Sequence, residues 1–201
     1  MKRRQRRAEL TREKIFQAAI TLFAQRGLEN VTVEQITELA EMGKGTFFNY
    51  FSSKEAVLAY FGGLQVARIQ EAIQVGEVAG SAPEQIEKIL TMLATYPPVT
   101  PELARNLFLA ALSTQRFAQI GGQNIWDVEA LLVGIARHGQ EEGSLTTHRT
   151  AADIALFVLG QYFLGLLTWC SGFSDSDLLE TVQRFVRMAL DAVRRGADAS
   201  G

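Results

Sequence analysis

An uncharged run from Ile154 to Ser174 constrains the fold of this chain more than any other feature. The run is long enough to cross a membrane as a helix, but a helix buried on all sides within a soluble protein has the same composition. Polar residues such as Gln161 and Thr168 interrupt the run, and few basic residues flank it. We therefore expect a buried helix and no membrane association.

The segment that follows supplies a second apolar surface at helical spacing, between Leu178 and Val193. A domain of this size covers one side of the uncharged helix more readily than all of its sides, so the remaining side needs a partner. We expect that partner to be a second copy of the chain. The sequence predicts a homodimer in which the last two helices of each subunit form a four-helix interface.

Helical spacing recurs along the rest of the chain. Apolar residues at positions 15, 18, 19, 22 and 23 mark one face of a first helix, which Gly27 ends. Thr32 and Gln35 have the spacing of a capping box that opens a second helix, and Ser52 with Glu55 repeats this spacing before a long fourth helix. Because no period-two alternation with hairpin turns is visible, the sequence predicts an all-α protein of about nine helices.

The charges are distributed unevenly along the chain. Residues 1–54 contain ten Lys and Arg against six Asp and Glu, a net charge of +4, whereas the whole chain has a net charge of −2. A basic end on an acidic body is typical of a protein that binds a polyanion at that end. A solvated charged tail is the alternative explanation for the N-terminal arginines. The single cysteine, Cys170, excludes an intrachain disulfide and fits a reducing cytoplasm.

The segment from Gly43 to Glu55 combines polar groups that can bind DNA with three phenylalanines. Its pattern predicts a short third helix, a tight break and the start of the fourth helix. With the second helix and a short turn it forms a helix-turn-helix, whose last helix enters the major groove. Phe47 and Phe51 lie four residues apart, so we expect both to face the core and the other side chains to face DNA.

The first 60 residues resemble the DNA-binding domain of the TetR family of transcriptional regulators. The resemblance rests on the helix that ends at Gly27, the Val31-Thr32-Val33 segment, and the string from Gly45 to Phe51 followed by Lys54-Glu55. It implies a three-helix helix-turn-helix domain with a basic N-terminal arm in residues 1–53. Residues 54–201 would form a larger helical domain for ligand binding and dimerisation.

Two groups of residues are expected to contact DNA. The first group is expected to bind phosphate oxygens, because it provides hydroxyl groups, a cation and the N-terminus of the second helix. Its members are Thr32, Thr46, Tyr50 and Lys54. The resemblance implies a second group that reads base edges in the major groove, namely Lys44, Gly45, Phe48 and Asn49.

This chain departs from the family pattern at two places. The turn between the second and third helices reads Glu41-Met42-Gly43, where relatives often have glycine, valine and serine. Glu41 places a negative charge in that turn, and we expect it to face away from the phosphates. Phe48 stands where tyrosine is usual, so one hydrogen bond to DNA is lost while apolar contact with a thymine methyl group remains.

The larger domain is expected to hold an effector in an apolar cavity among its central helices. The candidate aromatic walls of this cavity are Phe108, Trp126 and Tyr162. Catalysis is not expected, because neither His138 nor His148 has metal-ligand spacing and Cys170 lies in an apolar run. The sequence also predicts no metal and no cofactor.

These observations predict a cytoplasmic, ligand-responsive transcriptional regulator that binds a double-stranded DNA operator. We expect a repressor that releases a palindromic operator when a small molecule of unknown identity binds. An activator, or a regulator controlled by a protein partner, would have the same DNA-binding head. A helical small-molecule carrier without DNA function belongs to a different class, and it would show no salt-dependent binding to duplex DNA.

Overall fold

The computed structural model describes residues 2–96, 99–106 and 122–194. These residues form eight complete helices and a further helical segment at residues 101–106, with no β-structure beyond one isolated bridge between Leu145 and Arg194. The all-α prediction is confirmed. The complete helices are α1 (Lys2–Arg26), α2 (Val33–Leu39), α3 (Lys44–Phe48), α4 (Lys54–Gln74), α5 (Ala82–Thr95), α6 (Gly122–Glu141), α7 (Ala151–Cys170) and α8 (Leu178–Val193).

The chain forms two compact units, and the first comprises Met1–Phe61 and Thr100–Gly122. Its core contains aromatic and branched side chains from α1, α2 and the segment around α3. The amide of Asn106 donates to the carbonyl oxygens of Phe23 and Ala24, at 2.9 and 3.0 Å. These bonds cap the end of α1, where the Phe23 carbonyl also accepts from the backbone N–H of Gly27 at 3.0 Å.

The ends of α1 and α4 differ in part from the sequence expectations. Gly27 ends α1 as predicted, with a left-handed φ of 76°, while the N-terminal basic residues form the first turns of α1 instead of a separate arm. The predicted capping box at Ser52 and Glu55 is wrong. Because α4 begins at Lys54, the capping side chain is that of Ser53, whose Oγ accepts from the backbone N–H of Ala56 at 3.3 Å.

The second unit comprises Gly62–Val99 and Gln123–Gly201. Apolar side chains from the latter part of α4 and from α5, α6, α7 and α8 form its core. Within this core the carbonyl oxygen of Leu93 accepts two hydrogen bonds, from Gln65 Nε2 at 2.8 Å and from the Tyr162 hydroxyl at 3.3 Å. The functional division predicted at residues 53 and 54 stays a prediction.

Helix α7 contains most of the uncharged run. Eight of its residues are buried, and at Gly165 it lies so close to α8 that an added Cβ would sit 3.0 Å from the Cα of Val182. In the described ranges α7 is the one helix that is long and apolar enough to span a membrane, by length and composition alone. Its buried face lies in the core of the second unit, as expected for a core helix.

The opposite face of α7 is apolar and exposed. Four of its large side chains are between 41 and 62% exposed, and they are Leu156, Phe157, Leu164 and Leu167. Gly160 lies among them, and an added Cβ there would meet no atom within 4 Å. The chain therefore covers α7 on one side and leaves an apolar stripe, defined here by these five residues, open on the other.

Candidate nucleic-acid interface

Helices α2 and α3 form a helix-turn-helix whose first helix is capped as predicted. The Thr32 hydroxyl oxygen accepts from the backbone N–H of Gln35 at 3.3 Å, and the Gln35 side chain accepts from the Thr32 N–H at 3.0 Å. Such reciprocal bonds satisfy two backbone donors and fix where α2 begins. Gly43 is the N-cap of α3, also as predicted.

The turn between α2 and α3 is a Schellman motif with an unusual residue at its centre. The Met42 N–H donates to the Thr37 carbonyl at 2.8 Å and the Glu41 N–H to the Glu38 carbonyl at 3.1 Å. Glu41 occupies the left-handed region with φ of 55°, where glycine is usually found. The motif therefore forms despite the departure from the family pattern, at a conformational cost of about 1 kcal/mol. Glu41 is exposed.

Helix α3 divides its phenylalanines between the core and the surface, as the spacing predicted. Phe47 is fully buried and Phe51, just beyond the helix, is 4% exposed, whereas Phe48 is 55% exposed. The rings of Phe47 and Phe51 lie 5.9 Å apart. One face of α3 is thereby anchored in the first unit, and the other face is open to solvent.

The residues predicted to bind DNA are all at least partly exposed. Thr32, Lys44, Gly45, Phe48 and Asn49 are exposed, and the three remaining candidates are half-buried, namely Thr46, Tyr50 and Lys54. An added Cβ at Gly45 would meet no atom within 4 Å, so protein packing does not require glycine there. Their roles in DNA binding stay predictions.

Arg12 is a candidate DNA contact that the sequence argument missed. Its guanidinium group lies 5.9 Å from the ring centre of Tyr50 and 5.7 Å from that of Tyr60. Cation–π contacts of this kind hold an arginine in place while its N–H groups stay available. Arg12 is exposed and stands beside Tyr50, a predicted phosphate contact. Only tertiary packing brings these residues together, so no local spacing predicts their proximity.

Lys54 has partners that differ from the predicted phosphate contact. Its ammonium group donates to the carbonyl oxygens of Leu28 and Val31 at 2.7 and 2.9 Å, and more weakly to that of Glu29 at 3.4 Å. An ammonium group has three protons, so these contacts engage all of them. In this structure Lys54 fixes the start of α4 to the loop that precedes α2.

Lys54→Met should lower the free energy of unfolding by about 2 kcal/mol, because charge-assisted bonds to partly buried carbonyl oxygens are lost. Binding to every DNA sequence should weaken as the loop before α2 loosens. Urea denaturation followed by circular dichroism measures the change, with the exposed Lys14→Met as the control. Unchanged stability with weakened DNA binding would indicate a phosphate contact without the structural role.

The comparison with known families identifies the domain that contains this helix-turn-helix, called the head below. The family model described as bacterial regulatory proteins, tetR family, matches residues 15–61, which contain the capped helix α2, the turn after it and α3, the helix predicted to read DNA and called the recognition helix below. The chain belongs to the TetR family. It is accordingly a DNA-binding transcriptional regulator.

Relatives within the TetR family match this chain at higher identity over short stretches than over most of its length. The transcriptional regulator TcmR of Streptomyces glaucescens is 46% identical over 54 residues, which cover 27% of this chain and about a quarter (24%) of TcmR. The repressor SCO4008 of Streptomyces coelicolor is 29% identical over 151 residues, or 75% of each chain. The structure of Thermus thermophilus FadR, a TetR-family repressor in complex with lauroyl-CoA, is 26% identical with a TM-score of 0.63 and covers 94% of this chain and 99% of that chain.

The effector residues predicted for this TetR-family chain are placed only in part. Phe108 and the side chain of Trp126 lie outside the described residues. Tyr162 is 6% exposed and its hydroxyl is bonded to Leu93, and burial raises the pKa of this phenol. A surface cleft of about 650 Å³ lies elsewhere in the second unit, beside Arg149 and Phe157, and Tyr162 does not line it.

The described part of this TetR-family chain contains no group of three His, Cys, Asp or Glu side chains placed to hold a metal ion. His138 contacts Glu142 at 2.8 Å on the exposed surface of α6. Cys170 is buried, and its Sγ lies 3.5 Å from the carbonyl oxygen of Leu167. A buried thiol in apolar surroundings is a poor nucleophile.

Proposed function

We propose that this TetR-family regulator is a homodimeric repressor that releases a palindromic operator when a small molecule binds its C-terminal domain. The observation that carries the proposal is the division of α3. Phe47 is buried in the first unit, whereas Lys44, Gly45, Phe48 and Asn49 are exposed. A short helix held by one face, with polar groups on the other, suits the major groove.

Base reading is assigned to the exposed face of α3. Lysine can donate to guanine O6 and N7, and asparagine can pair with adenine through two hydrogen bonds, which gives Lys44 and Asn49 these roles. Gly45 permits close approach of the backbone because it has no side chain. Phe48 supplies apolar contact with a thymine methyl group.

Phosphate binding is assigned to the groups beside this face. The hydroxyl groups of Thr32, Thr46 and Tyr50 can donate to phosphate oxygens, and Arg12 adds a cation next to Tyr50. Lys54 contributes through the position of the loop before α2. These contacts set orientation and affinity, and they give binding a steep dependence on salt.

The dimer interface is assigned to α7 and α8. The apolar stripe of α7 is exposed in one subunit, and Met188 of α8 is 66% exposed. Burial of both surfaces against a second copy would complete a four-helix interface. Two recognition helices would then read half-sites about one helical turn apart.

We propose that the effector binds within residues 54–201 and that its binding releases the operator. The similar structure of Thermus thermophilus FadR is a complex with lauroyl-CoA, which makes an acyl-CoA ester the first probe to use. Such a regulator requires no catalysis, metal or cofactor. It acts in the cytoplasm, where its DNA is.

The test is recovery of DNA fragments bound by the protein from its source genome, followed by affinity measurements on the recovered sequence. A palindromic site, salt-dependent binding and release by an added small molecule support the proposal, with lauroyl-CoA and free CoA as the first pair of probes. Binding to DNA without release by any probe would favour control by a protein partner. Absence of salt-dependent duplex binding would favour the helical carrier.

Asn49→Ala should change the preferred base at one position of each half-site. Loss of a two-bond contact costs about 1–3 kcal/mol per half-site, whereas the slope of affinity against salt should stay the same. Selection from a randomised duplex library measures the preference. Gln17→Ala removes an exposed amide from α1 and serves as the control. An unchanged base preference in the Asn49 variant would remove this residue from the reading face.

A further inference from the structure

Glu34 forms an ion pair with the first residue of α3, the recognition helix. Its carboxylate forms an ion pair with the ammonium group of Lys44, and both side chains are 56% exposed. Glu34 is the second residue of α2 and Lys44 is the first of α3. The pair therefore joins the two helices of the head on the side that faces DNA in the proposed function.

The carboxylate is fixed by several donors. Hydrogen bonds from Lys44, from the backbone N–H of Glu34 and from the Thr32 side chain lower the pKa of Glu34 to about 2. Because this pKa lies well below that of a free glutamate, the carboxylate is charged throughout the neutral pH range. At neutral pH the lysine consequently has a permanent negative neighbour.

This neighbour changes what Lys44 can gain from DNA. A free lysine gains from any phosphate, because each neutralised phosphate releases a counterion regardless of sequence. With Glu34 beside it, the approach of a phosphate brings two negative charges together, and a neutral base edge carries no such penalty. The ion pair thus disfavours phosphate contacts more than contacts with guanine O6 and N7.

We propose that Glu34 determines sequence selectivity by keeping Lys44 from binding phosphates of unrelated DNA. The inference depends on the proposed function, because it assumes that Lys44 faces the duplex. Glu34 acts through Lys44 and is a positioning residue. The sequence argument missed it because the two residues belong to different helices.

The test compares Glu34→Gln with Glu38→Gln, which removes an equal charge from an exposed position on the same helix. Affinity for an unrelated duplex and for the selected operator is measured over a salt series. Glu34→Gln should tighten binding to unrelated DNA about tenfold at low salt and steepen the log–log salt slope by about 0.9, the value for one additional phosphate. Binding to the operator should change less, so the ratio of specific to unrelated affinity should fall.

The double variant Glu34→Gln, Lys44→Gln separates a local effect from a change in net charge. In the Lys44→Gln background, the Glu34 substitution should no longer steepen the slope. Equal effects of Glu34→Gln and Glu38→Gln, or an unchanged slope, would overturn the inference while duplex binding by the unmodified protein still supports the proposed function. If the unmodified protein binds no duplex, the proposed function itself fails. Circular dichroism checks that each variant is folded.

Discussion

Leu164→Glu should convert the proposed dimer into monomers and abolish tight operator binding. Leu164 lies on the apolar stripe of α7 and is 44% exposed in one subunit. In a two-fold interface the substitution occurs twice, so each dimer would bury two carboxylates without partners. Because one head alone binds a half-site, the affinity for the full operator should fall by at least about 100-fold.

Sedimentation equilibrium measures the mass, and titration with the operator measures the affinity. Val75→Glu introduces the same charge at a valine that is 64% exposed directly after α4, and this variant should remain dimeric. A Leu164 variant that still sediments as a dimer would move the interface to another surface. An unmodified protein that sediments as a monomer would disprove the proposed dimer.

Gly139→Ala should lower the free energy of unfolding by about 2 kcal/mol, because α6 has no room for a side chain at this position. An added Cβ would lie 2.5 Å from the Cβ of Ala82 and 2.9 Å from Cδ1 of Leu145, and both neighbours are fully buried. Gly134 is on the same helix, where an added Cβ meets nothing within 4 Å. Gly134→Ala should therefore raise the free energy by up to about 1 kcal/mol through helix propensity.

Urea unfolding of both variants measures the difference, at one protein concentration because the proposed dimer would couple folding to association. The two alanines change helix propensity alike, so the contrast between them reports the packing of α6. If both variants were stabilised equally, the contacts around Gly139 would have to relax without cost.

Local signals in the sequence were sufficient for much of the fold. The capping box at Thr32 and the end of α1 at Gly27 depend on residues at most a few positions apart, and their chemistry is visible in the chain itself. The different surroundings of Phe47 and Phe48 also followed from helical spacing. At α4, two adjacent serines offered the same capping chemistry, and the structure uses the second.

Contacts between distant parts of the chain could not be predicted in this way. Lys54 carries a cation at a position that suits phosphate, but the three carbonyl oxygens it contacts come from a loop that only the fold brings near. The same holds for Arg12 beside Tyr50 and for Tyr162. Spacing indicates which face a residue occupies, whereas its partner on another helix depends on how the helices cross.

The left-handed glutamate between α2 and α3 has a consequence for how this regulator evolves. Glu41 has a φ of 55°, so glycine at this position would relieve about 1 kcal/mol of backbone strain. A glutamate codon becomes a glycine codon through one base change. A destabilising substitution in the recognition helix can therefore be offset by a single mutation at position 41. The stability recovered there allows more substitutions in the recognition helix to be tolerated, and so a wider set of operators to be recognised.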